Sequence, residues 1–83
     1  MMNKMIKVGQ IYKEKELPEW RKHDSQYIAI VGNFNPTGNS FAIIRADGQI
    51  DYVQKCWLET DCELIAEYPT WNEAVNSKEF KGE

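Results

Sequence analysis

The side chains in this sequence that most readily do chemistry are one histidine and two cysteines, His23, Cys56 and Cys62. A Cys–His pair makes a nucleophile only where the imidazole lies beside the thiol, and nothing in the spacing brings these residues together. Cys56 and Cys62 are six positions apart, outside the usual two-to-four spacing of paired zinc ligands. We therefore expect reduced thiols, no catalytic dyad and no metal site.

The remaining polar residues form no catalytic pattern. The glycines fit turns, because no Gly-Lys-Ser/Thr follows them as it would in a phosphate-binding loop. Carboxylates are numerous between positions 47 and 63, but solvated turns and strand faces carry such residues more often than a general acid–base pair does. These carboxylates are Asp47, Asp51, Glu59, Asp61 and Glu63. We expect that the protein is not an enzyme and uses no cofactor.

The sharpest candidate binding site is the run Trp20, Arg21 and Lys22 in a highly charged stretch. The indole can stack on a base or enter a partner's pocket while the two cations meet an anion. Alternatively, Trp20 closes one end of the core, and we prefer this reading because so small a domain needs every large apolar side chain. Three more aromatic residues either extend an aromatic groove or belong to the core: Tyr12, Phe34 and Trp57.

Three runs rich in β-branched and aromatic residues, at 26–32, 40–45 and 49–54, predict an antiparallel meander that would position these side chains. Asp47-Gly48 between the last two runs is a strong hairpin signal, because glycine tolerates positive φ. The first run is apolar on both faces, which predicts a central or strongly curved strand, and Gly32 is the candidate position for a bend or bulge.

Two more strands are predicted at 8–12 and 62–67, with Val8 packing near Ile11. A charged connection of about a dozen residues follows the first strand, longer than the usual four to six. Residues 55–61 are predicted to form a plain connection.

The end of the chain predicts a short helix over about 70–80. Thr70 and Glu73 have capping-box spacing, in which the Thr hydroxyl and the Glu carboxylate satisfy reciprocal backbone donors at the helix start. We expect the helix to dock through Trp71 and Val75, with Phe80 packing back.

The chain of 83 residues is predicted to be a single domain, 1–83, of mainly β class. Five strands, a long first loop and a short C-terminal helix favour a small SH3-like five-stranded barrel over about 8–67. The alternative is an open five-stranded α+β sheet capped by the helix. No apolar run approaches the ~20 residues that span a bilayer, and no secretory signal is recognisable, so we expect no membrane association and a cytoplasmic location.

The net charge of −3 is distributed unevenly. Residues 1–23 carry six basic and three acidic side chains, a charge of +3, whereas residues 24–83 carry four and ten, a charge of −6. The overall sign argues against a general binder of phosphate backbones, but the basic N-terminal third leaves room for a local anion-facing patch.

Two segments resemble a known group of proteins. Lys7-Val-Gly-Gln-Ile-Tyr-Lys13 resembles the opening of small SH3-like proteins encoded by bacteriophages and prophages of Gram-positive bacteria. The segment 64–80, with Tyr68-Pro-Thr-Trp-Asn-Glu73 at its centre, looks like the closing segment of the same group. The two matches cover about a third of the chain. The resemblance implies an accessory protein in the host cytoplasm and supplies no catalytic or binding residues, because the group is mostly uncharacterised.

Three hypotheses of function follow. The first is a non-enzymatic binding module for a host or phage protein, present as a monomer or as a weak dimer through an exposed edge strand. The second is a nucleic-acid-binding accessory factor that uses the basic N-terminal third with Trp20, Arg21 and Lys22. The third is an acidic inhibitor of a host nucleic-acid-binding protein, acting through the surface from Asp47 to Glu67.

Overall fold

The computed structural model describes residues 5–15, 27–33 and 39–81, and there it shows one five-stranded antiparallel sheet with three short helices. The strands are β1 (Gln10–Glu14), β2 (Tyr27–Asn33), β3 (Ser40–Arg45), β4 (Ile50–Gln54) and β5 (Cys62–Glu67). Helix α1 (Lys55–Thr60) joins β4 to β5, and α2 (Trp71–Val75) and α3 (Lys78–Lys81) follow β5. The strand order is β4-β3-β2-β1-β5, so β4 and β5 are the two edges of this open sheet. The predicted mainly β class is confirmed.

The turn between β3 and β4 is the predicted Asp-Gly hairpin. Gly48 adopts φ +92° and its N–H donates to the Arg45 carbonyl at 2.8 Å. The Asp47 carboxylate accepts a hydrogen bond from the Gln49 N–H at 2.9 Å. A short polar side chain and a glycine therefore close the turn where the sequence places them.

Strand β2 lies between β1 and β3, as its two apolar faces predict. Ile28 and Ile30 point to one face of the sheet and Ala29 to the other, and all three are fully buried. The strand register shifts between Ile30 and Gly32, which confirms the predicted irregularity at this glycine.

Each face of the sheet carries its own hydrophobic cluster. We call the face covered by α1 the inner face; its cluster contains Ile6, Tyr12, Ile28, Ile30, Phe41, Ile43, Leu58 and Cys62. We call the face covered by α2 and α3 the outer face; its cluster contains Ile11, Ala29, Ala74 and Phe80. The short helices are therefore held by burial against the sheet, because helices of four to six residues are not stable alone.

The predicted connection at 55–61 joins β4 to β5, and it contains a helix that the sequence did not predict, α1 over Lys55–Thr60. Leu58 is fully buried in the inner cluster and Trp57 packs against it. Two large apolar residues in succession give no helical period, so the sequence did not indicate a helix here.

Strand β1 begins two residues later than predicted. Val8 and Gly9 form a turn before it, in which Gly9 adopts φ +97° and the Gln10 N–H donates to the Lys7 carbonyl at 3.3 Å. Ile11 is fully buried, as expected, but the expectation that Val8 packs near it is wrong, because Val8 is 37% exposed in the turn.

The single helix predicted over about 70–80 is two short helices, α2 and α3, separated at 76–77. One half of the predicted capping box is confirmed, because the Glu73 N–H donates to the Thr70 hydroxyl at 3.2 Å. Phe80 packs back on the sheet as expected and Val75 is half-buried against the outer cluster. The expected docking through Trp71 is wrong. Ala74 occupies the buried position of α2 and Trp71 is 45% exposed, because the small alanine brings the helix close to the sheet without the indole.

Candidate functional site

Four of the six residues predicted to bind a ligand, Trp20, Arg21, Lys22 and Phe34, lie outside the described residues. Their role in binding stays a prediction.

The other two predicted residues lie in or against the packed interior. Tyr12 is 5% exposed, and its hydroxyl donates to the Gln10 side-chain oxygen at 3.1 Å. Burial raises the pKa of Tyr12 to about 12, with Glu67, Cys62 and Glu59 adding to the effect. Trp57 is half-buried against the inner cluster. Both rings occupy core positions, which is one of the two roles that the sequence left open.

The side chain of Gln10 is almost fully buried, and all of its hydrogen-bonding groups have partners. Its Nε2 donates to the Met5 carbonyl and to a Glu67 carboxylate oxygen, both at 2.9 Å. Its Oε1 accepts from the Lys7 N–H at 3.0 Å and from the Tyr12 hydroxyl. An amide has two N–H donors and two lone pairs on its oxygen, so this residue fastens the N-terminal segment to the sheet and has no capacity left for a ligand.

One charged network crosses the inner face. The Arg45 guanidinium on β3 contacts Glu14 on β1 at 2.6 Å and Asp51 on β4 at 3.0 Å. The Glu14 side chain is 4% exposed and that of Arg45 is 13% exposed. Burial by itself would lower the pKa of Arg45, but the hydrogen bonds with the two carboxylates raise it. Asp51 is therefore held by an ion pair, rather than solvated as the sequence predicts.

The two thiols differ in burial, although both are free. Cys56 is exposed at the start of α1, and its Sγ lies 3.6 Å from the Gln54 side-chain oxygen. Cys62 is buried, and burial, with Glu14 and Asp61 nearby, raises its pKa to about 12. His23 lies outside the described residues, and those that are described contain no group of three His, Cys, Asp or Glu side chains fit to hold a metal ion.

The described residues form surface clefts on two parts of the sheet edge and its turns. One, of about 360 Å³, is lined by Lys7, Val8, Gln10, Glu67, Tyr68 and Pro69. The other, of about 420 Å³, is lined by Asn39, Ser40, Gln54, Lys55, Cys56 and Glu59. Each is lined by one lysine and one glutamate, and the second also contains the Cys56 thiol.

The most unusual surface is apolar and lies on the outer face at β3 and β4. Strand register aligns Ile50, Ile44, Ala29, Ile11 and Ala66 in one row across all five strands. Helices α2 and α3 pack chiefly on β1 and β2, so the row is covered there and open at β4.

Among the described residues, neither α2 nor α3 packs chiefly on this part of the sheet, and we call it the open patch; its members are Ala42, Ile44, Ile50 and Tyr52. Ile50 is 53% exposed and Tyr52 is 62% exposed. Sequence alternation places Ile50 and Tyr52 on the same face, but it does not indicate how far the helices extend over that face. The open patch is therefore a candidate site that the sequence alone did not reveal.

In the described part of the chain, no helix has the length and apolar character needed to cross a membrane. Comparison with family models, with curated proteins and with solved structures finds no match to this chain.

Proposed function

We propose that this chain is a non-enzymatic protein-binding module with an SH3-like fold, and that it acts as an accessory protein of a phage or prophage in the cytoplasm of a Gram-positive host. The open patch on β3 and β4 is its binding surface.

The order of the elements supports the SH3-like part of the proposal. Strands β2, β3 and β4 form a meander, a long connection separates β1 from β2, and β5 returns to pair with β1. Helix α1 contacts both β4 and β5, the two edges that closure into a barrel would bring together.

The observation that carries the binding function is the exposure of Ile50 and Tyr52 side by side on an edge strand. Single exposed apolar residues are common, but two adjacent ones, of which Ile50 continues a buried row, indicate a surface that a partner covers. Removing apolar area from water stabilises a complex by about 25 cal/mol per Å², so burial of these two side chains favours association.

The test is affinity capture from a Gram-positive host lysate with the tagged full-length chain, the variant Tyr52→Lys and the control variant Met5→Lys. Met5 is 80% exposed and lies outside the open patch, so its replacement adds the same charge elsewhere. We expect one set of proteins to be retained by the parent and Met5→Lys, and to be lost with Tyr52→Lys. Circular dichroism verifies that all three chains are folded.

Nuclease treatment of the lysate separates this proposal from nucleic-acid binding. Capture that survives nuclease and depends on Tyr52 supports the protein-binding module. Capture lost on nuclease treatment would replace it with the nucleic-acid hypothesis. The nucleic-acid hypothesis relies on the basic N-terminal third, in which two lysines already have partners within the chain. The Lys13 ammonium lies 5.8 Å from the Tyr27 ring centroid, and the Lys15 ammonium donates to the Thr60 carbonyl. Identical captures by all three chains would reject the open patch as the binding surface.

A further inference from the structure

We propose that Asp47 is a site of spontaneous modification, where the main chain isomerises to isoaspartate when the β3–β4 hairpin opens, and that the closed hairpin protects it. The substrate is the chain itself and solvent water is the only co-reactant. The modification needs no partner, so it is independent of the binding proposed for the open patch.

Asp47 is the position in the sequence where this reaction is chemically easiest. It is followed by glycine, and no other aspartate or asparagine of the chain is. Glycine has no side chain, so its backbone nitrogen is uncrowded and its dihedral angles are free to adopt the conformation that the reaction needs. The other described aspartates are followed by tyrosine or cysteine, whose side chains crowd that nitrogen.

The reaction makes and breaks bonds only within residues 47 and 48. The Gly48 nitrogen attacks Cγ of the Asp47 carboxyl group, and the carboxyl hydroxyl leaves with the amide proton as water, which gives a five-membered succinimide. Water then adds to one of the two ring carbonyls. Breaking the original peptide C–N bond leaves the main chain running through Cβ and Cγ, which is isoaspartate, whereas breaking the new N–Cγ bond restores aspartate. The water lost in the first step is regained in the second, and nothing is oxidised or reduced.

The surroundings of the turn leave room for the ring. Asp47 and Gly48 are both exposed, so water reaches them. A Cβ built on Gly48 would have none of the described atoms within 4 Å beyond its chain neighbours. Packing therefore does not prevent the reaction, and any protection comes from the hydrogen bonds of the turn itself.

Two hydrogen bonds keep the reacting groups apart in the closed hairpin. The Gly48 N–H donates to the Arg45 carbonyl at 2.8 Å, which holds the proton that the nitrogen must lose. The Asp47 carboxylate accepts from the Gln49 N–H at 2.9 Å, so it is fastened to the backbone beyond the nitrogen that would attack it. Both bonds must break before the Gly48 nitrogen can reach Cγ. The rate of isomerisation therefore follows the population of the open hairpin.

An ion pair beside the turn helps to keep the hairpin closed. The Arg45 Nε on β3 donates to the Asp51 carboxylate on β4 at 3.0 Å, and the Arg45 N–H donates to the Gln49 carbonyl at 2.9 Å. These contacts join the two strands next to the turn. Removing the Asp51 carboxylate should therefore increase local opening of the hairpin while the rest of the sheet stays folded.

Conversion changes the turn permanently. Isoaspartate adds one atom to the main chain between residues 47 and 48, so the Gly48 N–H no longer meets the Arg45 carbonyl with the same geometry. Turn geometry sets the register of a hairpin, and the first aligned pair after this turn is Ile44 with Ile50. The converted chain should therefore pair β4 with β3 less well and be less stable.

The experiment incubates the full-length chain at neutral pH, folded and in denaturing urea, and locates isoaspartate by proteolysis and fragmentation mass spectrometry. We expect isoaspartate at residue 47, formed at least about tenfold faster in the unfolded chain. In the folded state, Asp51→Ala should accelerate the conversion about threefold. The matched control Asp61→Ala removes the same charge at the end of α1 and should change the rate less than about 1.5-fold.

Two further measurements complete the test. In urea the parent and both variants should convert at the same rate, because residues 47 and 48 are unchanged, and circular dichroism verifies that the variants are folded without urea. The converted chain, separated by reversed-phase chromatography and refolded, should unfold at a lower urea concentration than the parent treated in the same way.

Each part of the proposal can be overturned separately. Absence of isoaspartate at residue 47 in the unfolded chain would reject the site. Equal rates in the folded and unfolded chains would reject protection by the hairpin, and equal effects of Asp51→Ala and Asp61→Ala would reject local opening as the route. Equal urea midpoints of the converted and parent chains would reject the change in the turn.

Discussion

Replacing Gly9 by alanine should destabilise the protein far more than the same change at Gly48. Both glycines have positive φ, +97° and +92° respectively. A Cβ at Gly48 would meet no atom within 4 Å, whereas a Cβ at Gly9 would lie well inside 3.0 Å of the Tyr68 carbonyl oxygen. The two variants share a conformational penalty and differ in one steric contact.

The magnitudes follow from these contacts. Placing alanine at positive φ destabilises the folded state by about 1–2 kcal/mol. Alanine also makes the unfolded chain less flexible, which offsets about 0.4–1 kcal/mol of this cost. The free energy of unfolding of Gly48→Ala should therefore fall by about 1 kcal/mol. At Gly9 the clash involves backbone that no rotamer can move aside. Relief requires the link between β5 and α2 to shift, which weakens the bond from the Tyr68 N–H to the Gly9 carbonyl at 2.9 Å. We expect a loss of about 3–4 kcal/mol for Gly9→Ala.

The assay is urea unfolding followed by tryptophan fluorescence, with the free energy of unfolding extrapolated to water. A domain of this length has roughly 4–12 kcal/mol of stability, so Gly9→Ala would remove a large part of it. If Gly9→Ala does not fold and Gly48→Ala does, that result also supports the close approach of Gly9 to Tyr68. Losses within about 0.5 kcal/mol of each other would refute the close approach of Gly9 to Tyr68.

Three other perturbations test the packing. Cys56 should react with a thiol reagent at pH 8 at the rate of an exposed thiol, whereas Cys62 should react only on unfolding, because it is buried and its pKa is raised to about 12; comparable rates would contradict this. Arg45→Met should cost about 2–3 kcal/mol in urea unfolding, because it removes the Arg45 ion pair from the buried Glu14, and a loss below about 1 kcal/mol would show that the pair is dispensable. Thr70→Ala should cost about 1 kcal/mol by removing the cap of α2, and Thr70→Ser should restore most of it; equal losses would assign the effect to packing instead.

Features set by local chemistry were predictable from the sequence. The Asp47-Gly48 turn and the Thr70 cap each need only a few neighbouring residues of the right type, and both are present. Strand β2 has apolar residues on both of its faces, which is consistent with the central position it occupies, because a strand covered on both sides buries the side chains of both faces.

The candidate site was less predictable, because it depends on how far one element covers another. Trp71 and Ala74 fit the same helix face in the sequence, yet only Ala74 is buried. The alternation of Ile50 and Tyr52 is equally compatible with a covered or an uncovered strand. Their exposure follows from the positions of α2 and α3, which no local pattern specifies.

The sequence by itself determined the strands of the meander, their turn, the start of the terminal helical segment and the mainly β class, because periodicity, turn residues and caps act over a few positions. Only the tertiary structure decided that this segment divides into α2 and α3, that α1 forms at 55–60, that Arg45 joins three strands, and that β4 is an edge of the described sheet with an apolar face. These features arise from contacts between residues far apart in the chain, whose burial is decided when all five strands and the helices pack together.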